Sequence, residues 1–184
     1  FKKCEFVISM PDLKSKPGNY KPCILFVGRS NVGKSTLINN LVGRQIAFSS
    51  KKAGKTKLIN YFLIDDSFYL VDSPGYGSTS YATLKTINFA SMMEDFVKDP
   101  ILKGIVLLLD LRHEPGSDDI KFIKYLQHSN VPLIYVLTKC DTMNQKELNE
   151  ACKIAIKLGI SDYIISKNDI RSLDSLKGRI TSLL

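Results

Sequence analysis

Nothing in this chain approaches the roughly 18 consecutive apolar residues that read as a membrane-spanning helix. Its start, Phe1-Lys2-Lys3-Cys4, lacks the apolar region of a secretory leader, so the expected location is the cytoplasm. The first residue is not Met, and a few preceding residues are expected to be missing. Cysteines are few: Cys4, Cys23, Cys140 and Cys152 show no C-x-x-C spacing, which removes the usual metal and redox frameworks and leaves buried or incidental thiols in a reducing compartment. His113 and His128 are isolated, so neither suggests a metal ligand or a catalytic base. There are no internal repeats and no low-complexity tract. Only Arg29, Arg44, Arg112, Arg171 and Arg179 are arginines, and lysine carries the rest of a net charge of +8.

What is present is concentrated in three short strings. Residues 28 to 35 read Gly-Arg-Ser-Asn-Val-Gly-Lys-Ser, a complete G-x-x-x-x-G-K-[ST] phosphate loop. It follows the β-prone run Cys23 to Val27 and precedes Ser35 to Val42, which carries Leu37, Ile38, Leu41 and Val42 at helical spacing. Gly28 and Gly33 allow the backbone N–H groups of Arg29, Ser30, Asn31 and Val32 to turn inward around phosphate oxygens, at a helix N-terminus whose dipole favours negative charge. Lys34 would reach the β- and γ-phosphates, and the Ser35 hydroxyl would bind Mg²⁺.

Asp72-Ser73-Pro74-Gly75 closes the apolar run Phe68 to Val71, at the strand end where an α/β sheet presents its ligands. Asp72 can hold the metal through water, and the Gly75 N–H can meet the γ-phosphate. Thr138-Lys139-Cys140-Asp141 follows another strand-like run, Val131 to Leu137. A carboxylate at Asp141 can accept two hydrogen bonds from guanine that adenine cannot offer, and the Lys139 stem can lie along the base. Order and spacing together favour GTP over ATP.

GRSNVGKSTLINNL, the GKTK-LINYF stretch at 54 to 62, DSPGYG at 72 to 77 and TKCD at 138 to 141 together resemble the EngB (YihA/YsxC) family of bacterial small GTPases, a branch close to Era and EngA. The match runs from about Ile24 to the C-terminus. The resemblance implies a Ras-like fold, GTP hydrolysis, and a role in large ribosomal subunit assembly and in normal cell division and septation. It makes Thr56 the threonine that completes the Mg²⁺ and γ-phosphate contacts, within a segment Gly54, Lys55, Thr56, Lys57 and Leu58 that orders around GTP. It places a further guanine contact at Ile165-Ser166-Lys167, where Lys167 departs from the Ser or Ala of most relatives. After D-x-x-G, Ras-like proteins carry a Gln that orients the attacking water, whereas this chain has Tyr76. A phenol cannot hold water as an amide does, so hydrolysis is expected to be slow alone. Related GTPases with Asn at the position of Asn31 use it to bind K⁺ beside the phosphates, which makes K⁺ stimulation one expectation and a group supplied by a macromolecular partner the other.

A single nucleotide-binding domain is expected over 23–184, after an N-terminal segment at 1–22 with a short strand at Glu5 to Ser9 and a Pro/Gly-containing linker. Strands are predicted near 23–27, 58–64, 68–72, 104–110, 131–137 and 162–166, and helices near 34–43, 82–98, 117–129, 144–158 and 172–184. Asp65-Asp66-Ser67 is too short for a crossover, so 58–64 and 68–72 form a hairpin. The fold class is α/β: a six-stranded, mostly parallel sheet with one antiparallel edge strand and helices on both faces. Ser172 is the expected N-cap of the last helix, with Leu173, Leu176, Ile180 and Leu183 on its core stripe.

The positive charge invites contact with ribosomal RNA. Lysines cluster at Lys51, Lys52, Lys55 and Lys57 and at Lys2, Lys3, Lys14, Lys16 and Lys21, but no RNP-like string is present. Loops 44–57 and 73–82 read as nucleotide-controlled switches, with Tyr76 and Tyr81 offering aromatic surface to a partner. The protein is expected to be a monomer. Two other classes stay open at this point: a phosphate-loop ATPase or kinase, which TKCD opposes, and a division-associated nucleotide binder with little hydrolysis.

Overall fold

The run Cys23–Gly28 is buried along its whole length, and its side chains alternate between two cores. Cys23, Leu25 and Val27 enter one, and Ile24 and Phe26 the other. A strand with no polar face belongs in the middle of a sheet covered on both sides. The computed structural model places it there, and describes residues 1–10, 17–47, 58–77 and 89–184.

The strands are β1 (Cys4–Met10), β2 (Cys23–Gly28), β3 (Ile59–Ile64), β4 (Phe68–Asp72), β5 (Leu102–Leu109), β6 (Leu133–Leu137) and β7 (Ile164–Ile165). They form one sheet in the order β1-β3-β4-β2-β5-β6-β7. Pairing from β4 through β7 is parallel, and β3 runs antiparallel to both β1 and β4. The sheet therefore has seven strands where six were expected. The seventh is the N-terminal strand, which pairs outside the hairpin and puts the antiparallel strand β3 second from the edge. The hairpin turn is Asp65-Asp66, both at positive φ (49° and 55°), with the Ser67 N–H donating to the Ile64 carbonyl at 2.9 Å. This is the two-residue geometry whose twist matches the strands it joins.

Among the described residues five helices cover the faces: α1 (Lys34–Val42), α2 (Phe89–Lys98), α3 (Ser117–His128), α4 (Gln145–Lys157) and α5 (Ile170–Leu183). On one face α1 and α5 bury Leu37, Ile38, Leu41, Leu176 and Ile180 against Ile24, Phe26, Val106 and Val136. Each such side chain contributes about 1.5–3 kcal/mol relative to exposure. On the other face α2, α3 and α4 bury Met93, Phe96, Ile123, Leu126, Ala151 and Ala155. Leu173 and Leu183 pack against the first core as the helical stripe requires.

Two expectations shift. The last helix starts at Ile170, two residues before the expected start, because Asp169, not Ser172, is its cap: extended at φ −99°, its carboxylate accepts the Ser172 N–H at 2.9 Å. Strand β7 is two residues long instead of five, since only Ile164 and Ile165 find partners on β6.

Candidate functional site

Parallel strands carry their C-terminal ends to one edge, and the phosphate loop after β2, the D-x-x-G string at the end of β4, the T-K-C-D string after β6 and the segment after β7 all lie along it. Loop 29–33 is shaped by two left-handed residues, Asn31 (φ 65°) and Gly33 (φ 104°), and Gly33 opens directly into α1. At Gly28 a Cβ would lie 2.6 Å from Val32 Cγ1 and 3.3 Å from Leu108 Cβ, so the residue must be small for the loop to curl over β5. Lys34 and Ser35 follow in the first turn of α1.

Asp72 is 2% exposed, and its carboxylate pairs directly with the Lys34 ammonium. Oxygen donors from Asp72 and Ser35 beside a phosphate loop are the hard ligand set that Mg²⁺ takes together with water, so the residues present fit that ion. Ser73 is fully buried and its hydroxyl donates to the Phe26 carbonyl at 2.7 Å. Expected to contact nucleotide, Ser73 instead has its side chain committed to tying the D-x-x-G string to β2. Pro74 is half-buried beside it. Gly75 meets the phosphate loop closely, since a Cβ there would sit 2.8 Å from Ser30 Cα and 2.9 Å from Ser30 N.

The T-K-C-D string is held equally firmly. Thr138 is buried, and its hydroxyl donates to the Val32 carbonyl at 2.8 Å, joining this loop to the phosphate loop across 106 residues of chain. Lys139 is left-handed (φ 62°) and starts a single 3-10 turn, Cys140–Thr142, which presents Asp141 to solvent. The Thr142 hydroxyl closes that turn on the Lys139 carbonyl at 2.7 Å. Burial pushes the Cys140 thiol up to about 11, so it is a packed neutral group that donates to the Leu137 carbonyl at 3.3 Å. Cys4 and Cys23 are buried too, as expected of incidental thiols. After β7, the Ser166 N–H donates to the Leu137 carbonyl at 2.9 Å and is already used. Ser166 is thus a backbone anchor, and Lys167, exposed beside it, carries the free position. Ile165 is half-buried within β7.

Gly54, Lys55, Thr56 and Lys57 lie outside the described residues, as does Tyr81. Leu58 is described, 40% exposed just before β3. No group of three or more His, Cys, Asp and Glu capable of holding a metal occurs among the described residues, and no described helix is long and apolar enough to cross a membrane.

Tyr76 differs most from expectation. Its ring is packed, not presented: it lies 4.9 Å from the Phe122 ring and 5.5 Å from that of Phe89, and its phenol interacts with the Asp119 carboxylate. Burial first, and the Asp119 carboxylate second, push its ionisation above the usual phenol range. Two charged pairs escaped the sequence reading. Arg29 binds Asp119 through Nη1 at 3.0 and 3.1 Å, which ties its guanidinium to α3. Arg112 binds Asp110 at 3.0 and 2.8 Å at the end of β5. Burial opposes ionisation of Asp110, but Arg112 outweighs it and holds the carboxyl below its ordinary value, with Lys139 adding a smaller effect. The D-x-R string at a strand end and the G-x-x-D capping spacing at Gly116 to Asp119 were the available signals.

Comparison with known proteins agrees with this geometry. Residues 23–139 match the family described as 50S ribosome-binding GTPase. The chain is 44% identical over 154 residues to the probable GTP-binding protein EngB of Porphyromonas gingivalis, covering 81% of this chain and 75% of the relative. It is 40% identical over 151 residues to that of Lactobacillus acidophilus, covering 81% and 77%. A crystal structure of a probable GTP-binding protein engB superposes with a TM-score of 0.66 at 24% identity, over 88% of this chain and 97% of the other, which speaks for the fold. A Ras-like sheet with a phosphate loop, a buried Asp72 and a T-K-C-D turn on one edge, together with these relatives, makes the chain a GTP-hydrolysing member of the 50S ribosome-binding GTPase family, in its EngB branch.

Proposed function

We propose that this GTPase is a nucleotide-controlled switch in assembly of the large ribosomal subunit, with a link to normal cell division and septation. The observation that carries the switch is the convergence of Lys34, Asp72 and Gly75 on the phosphate loop, with the Thr138 hydroxyl bonding that loop to the base-specifying turn at 2.8 Å. The family description supports the ribosomal partner, and the net charge of +8 supports contact with RNA.

In this reading the backbone N–H groups of Asn31 and Gly33 cradle the phosphates, those of Ser30 and Val32 being bonded to the Tyr76 and Arg29 carbonyls, and Lys34 exchanges its contact with Asp72 for the β- and γ-phosphate oxygens. Ser35, Thr56 and, through water, Asp72 would hold Mg²⁺. When bound, Mg²⁺ supplies charge neutralisation on the β- and γ-phosphates. The Gly75 N–H meets the γ-phosphate, and Asp141 with Lys139 selects guanine, aided by Lys167. Water attacks the γ-phosphorus and GDP leaves. Tyr76, packed against Phe122 and interacting with Asp119, is not in a position to orient that water. Asn31, whose left-handed backbone places it exposed at the loop tip, would hold K⁺, which would supply positive charge beside the phosphates. Equal hydrolysis rates in K⁺ and Na⁺ buffers would rule this out in favour of a partner-supplied group.

The test of the switch is sedimentation with ribosomal subunits in K⁺ buffer at moderate salt, loaded with GDP or a non-hydrolysable GTP analogue. Co-migration with the large subunit only in the analogue-bound state is expected. Nucleotide-independent, salt-labile association would mean that the charge is merely adhesive.

A further inference from the structure

Asp119 stands outside the three nucleotide strings, yet it joins two of them. Its side chain is only 8% exposed and receives Arg29 Nη1 from the phosphate loop at 3.0 Å and the Gly116 N–H at the start of α3 at 2.9 Å, and it interacts with the Tyr76 phenol. Arg29 extends the set, with Nη2 donating to the Gly77 carbonyl at 3.4 Å. The backbone closes the same seam. The Tyr76 N–H donates to the Gly28 carbonyl at 3.2 Å, and its carbonyl accepts the Ser30 N–H at 2.9 Å, a parallel bridge that continues the β2–β4 pairing beyond the strands. The Tyr76 ring, packed against Phe89 and Phe122, anchors this segment to α2 and α3.

We propose that Asp119 is a positioning residue for GTP hydrolysis: through Tyr76 and Arg29 it holds Gly75 to Gly77 on the phosphate loop, keeping the Gly75 N–H preorganised for the γ-phosphate and the phenol clear of the attacking water. This rests on the γ-phosphate role given to Gly75 above. A carboxylate suits the position because both oxygens only accept, so several donors can converge on it, whereas an amide would turn its own N–H groups toward at least one of them. A donor or dipole held in place before reaction needs no reorganisation during it, and that is where the rate advantage arises.

The test measures single-turnover hydrolysis and GDP affinity for Asp119→Asn, Tyr76→Phe and the double variant. Tyr76→Phe keeps the ring and removes only the hydroxyl, so it reports even if Asp119→Asn weakens the α3 cap and fails to fold. The expected result is a fall in kcat of about tenfold in each single variant, the scale of a lost hydrogen bond to a charged group, with KM and GDP affinity within about twofold of the parent. The double variant should be no slower than the slower single one, because both changes break the same contact. Unchanged or raised kcat with only a lowered melting temperature would overturn the proposal, as would multiplicative effects or loss of GDP binding. Failure of the Gly75 reading shows separately, as an unchanged rate in Gly75→Ala.

Discussion

Gly75→Ala is the substitution whose cost the structure sets most directly. The added Cβ would lie 2.8 Å from Ser30 Cα, 2.9 Å from Ser30 N and 2.9 Å from Ser30 Oγ. Carbon atoms rest about 3.5–4.0 Å apart, so the overlap is about 0.7 Å or more on Ser30 Cα, with the backbone N crowded beside it. Neither can rotate away: the Ser30 N–H is bonded to the Tyr76 carbonyl and the loop is anchored through Val32 to Thr138. Relief requires the D-x-x-G string to lift off the phosphate loop, at a cost of about 1–3 kcal/mol typical of overpacking. About 2 kcal/mol in the barrier is about a 30-fold slower step, and complete loss of one preorganised donor costs about 10²–10³-fold. Single-turnover phosphate release should therefore fall by about 30-fold or more, while GDP affinity, which does not involve Gly75, stays within about twofold in a fluorescent-nucleotide titration. Gly77→Ala provides the contrast. There the Cβ would meet Arg29 Cζ at 2.9 Å, the far end of a flexible side chain, and the main cost is the left-handed backbone at φ 79°, about 1–2 kcal/mol. A Gly75→Ala protein hydrolysing GTP at the parent rate would refute the close approach and the role assigned to it.

Asp141→Asn should exchange guanosine for xanthosine nucleotides in a binding competition, because the amide complements a base that presents a carbonyl where guanine has its amine; unchanged GTP affinity would defeat the assignment. Thr138→Val removes the 2.8 Å bond to the Val32 carbonyl and strands a buried acceptor, so chemical denaturation should show a loss of about 1–3 kcal/mol and nucleotide affinity should fall with it. Lys34→Ala should abolish nucleotide binding by calorimetry and also lower the melting temperature, since it leaves the 2%-exposed Asp72 carboxylate without its cation. Asp110 is held below its ordinary carboxyl range by Arg112, so its contribution is present above the unfolded-state value and is lost as pH falls through the lower folded value. The acid limb of the stability curve should flatten in Arg112→Ala, and an identical limb would exclude the pair as its source.

Most of the chemistry was legible because it resides in contiguous strings. A phosphate loop needs glycines, a lysine and a hydroxyl at set spacing, and 28–35 supplies them with a strand before and a helix after; likewise the apolar runs leading into Asp72 and Thr138 marked the strand ends. Periodicity located four of the described helices and both hairpin strands within a few residues, and the C-terminal part of the helix expected at 82–98, whose residues 82–88 lie outside the described ones, since burial on a sheet leaves a regular apolar stripe. Less visible was anything that depends on which segments meet. The N-terminal strand joins the sheet because β3 offered an unpaired edge, a fact written in neither segment alone.

The local sequence determined that this chain binds a guanine nucleotide and hydrolyses it, for the phosphate-loop, D-x-x-G and T-K-C-D strings each consist of residues a few positions apart whose geometry the adjoining strand or helix dictates. Tertiary structure alone decided the fate of Tyr76, Arg29, Ser73 and Ser166. As sequence they read as nucleotide contacts or exposed surface; in the fold the Ser73 hydroxyl and the Ser166 N–H are spent on neighbouring strands, and Tyr76 and Arg29 converge on Asp119, 43 and 90 residues away along the chain. The physical reason is that a polar group's partner is set by what packing brings within about 3 Å of it, and spacing along the chain does not encode that.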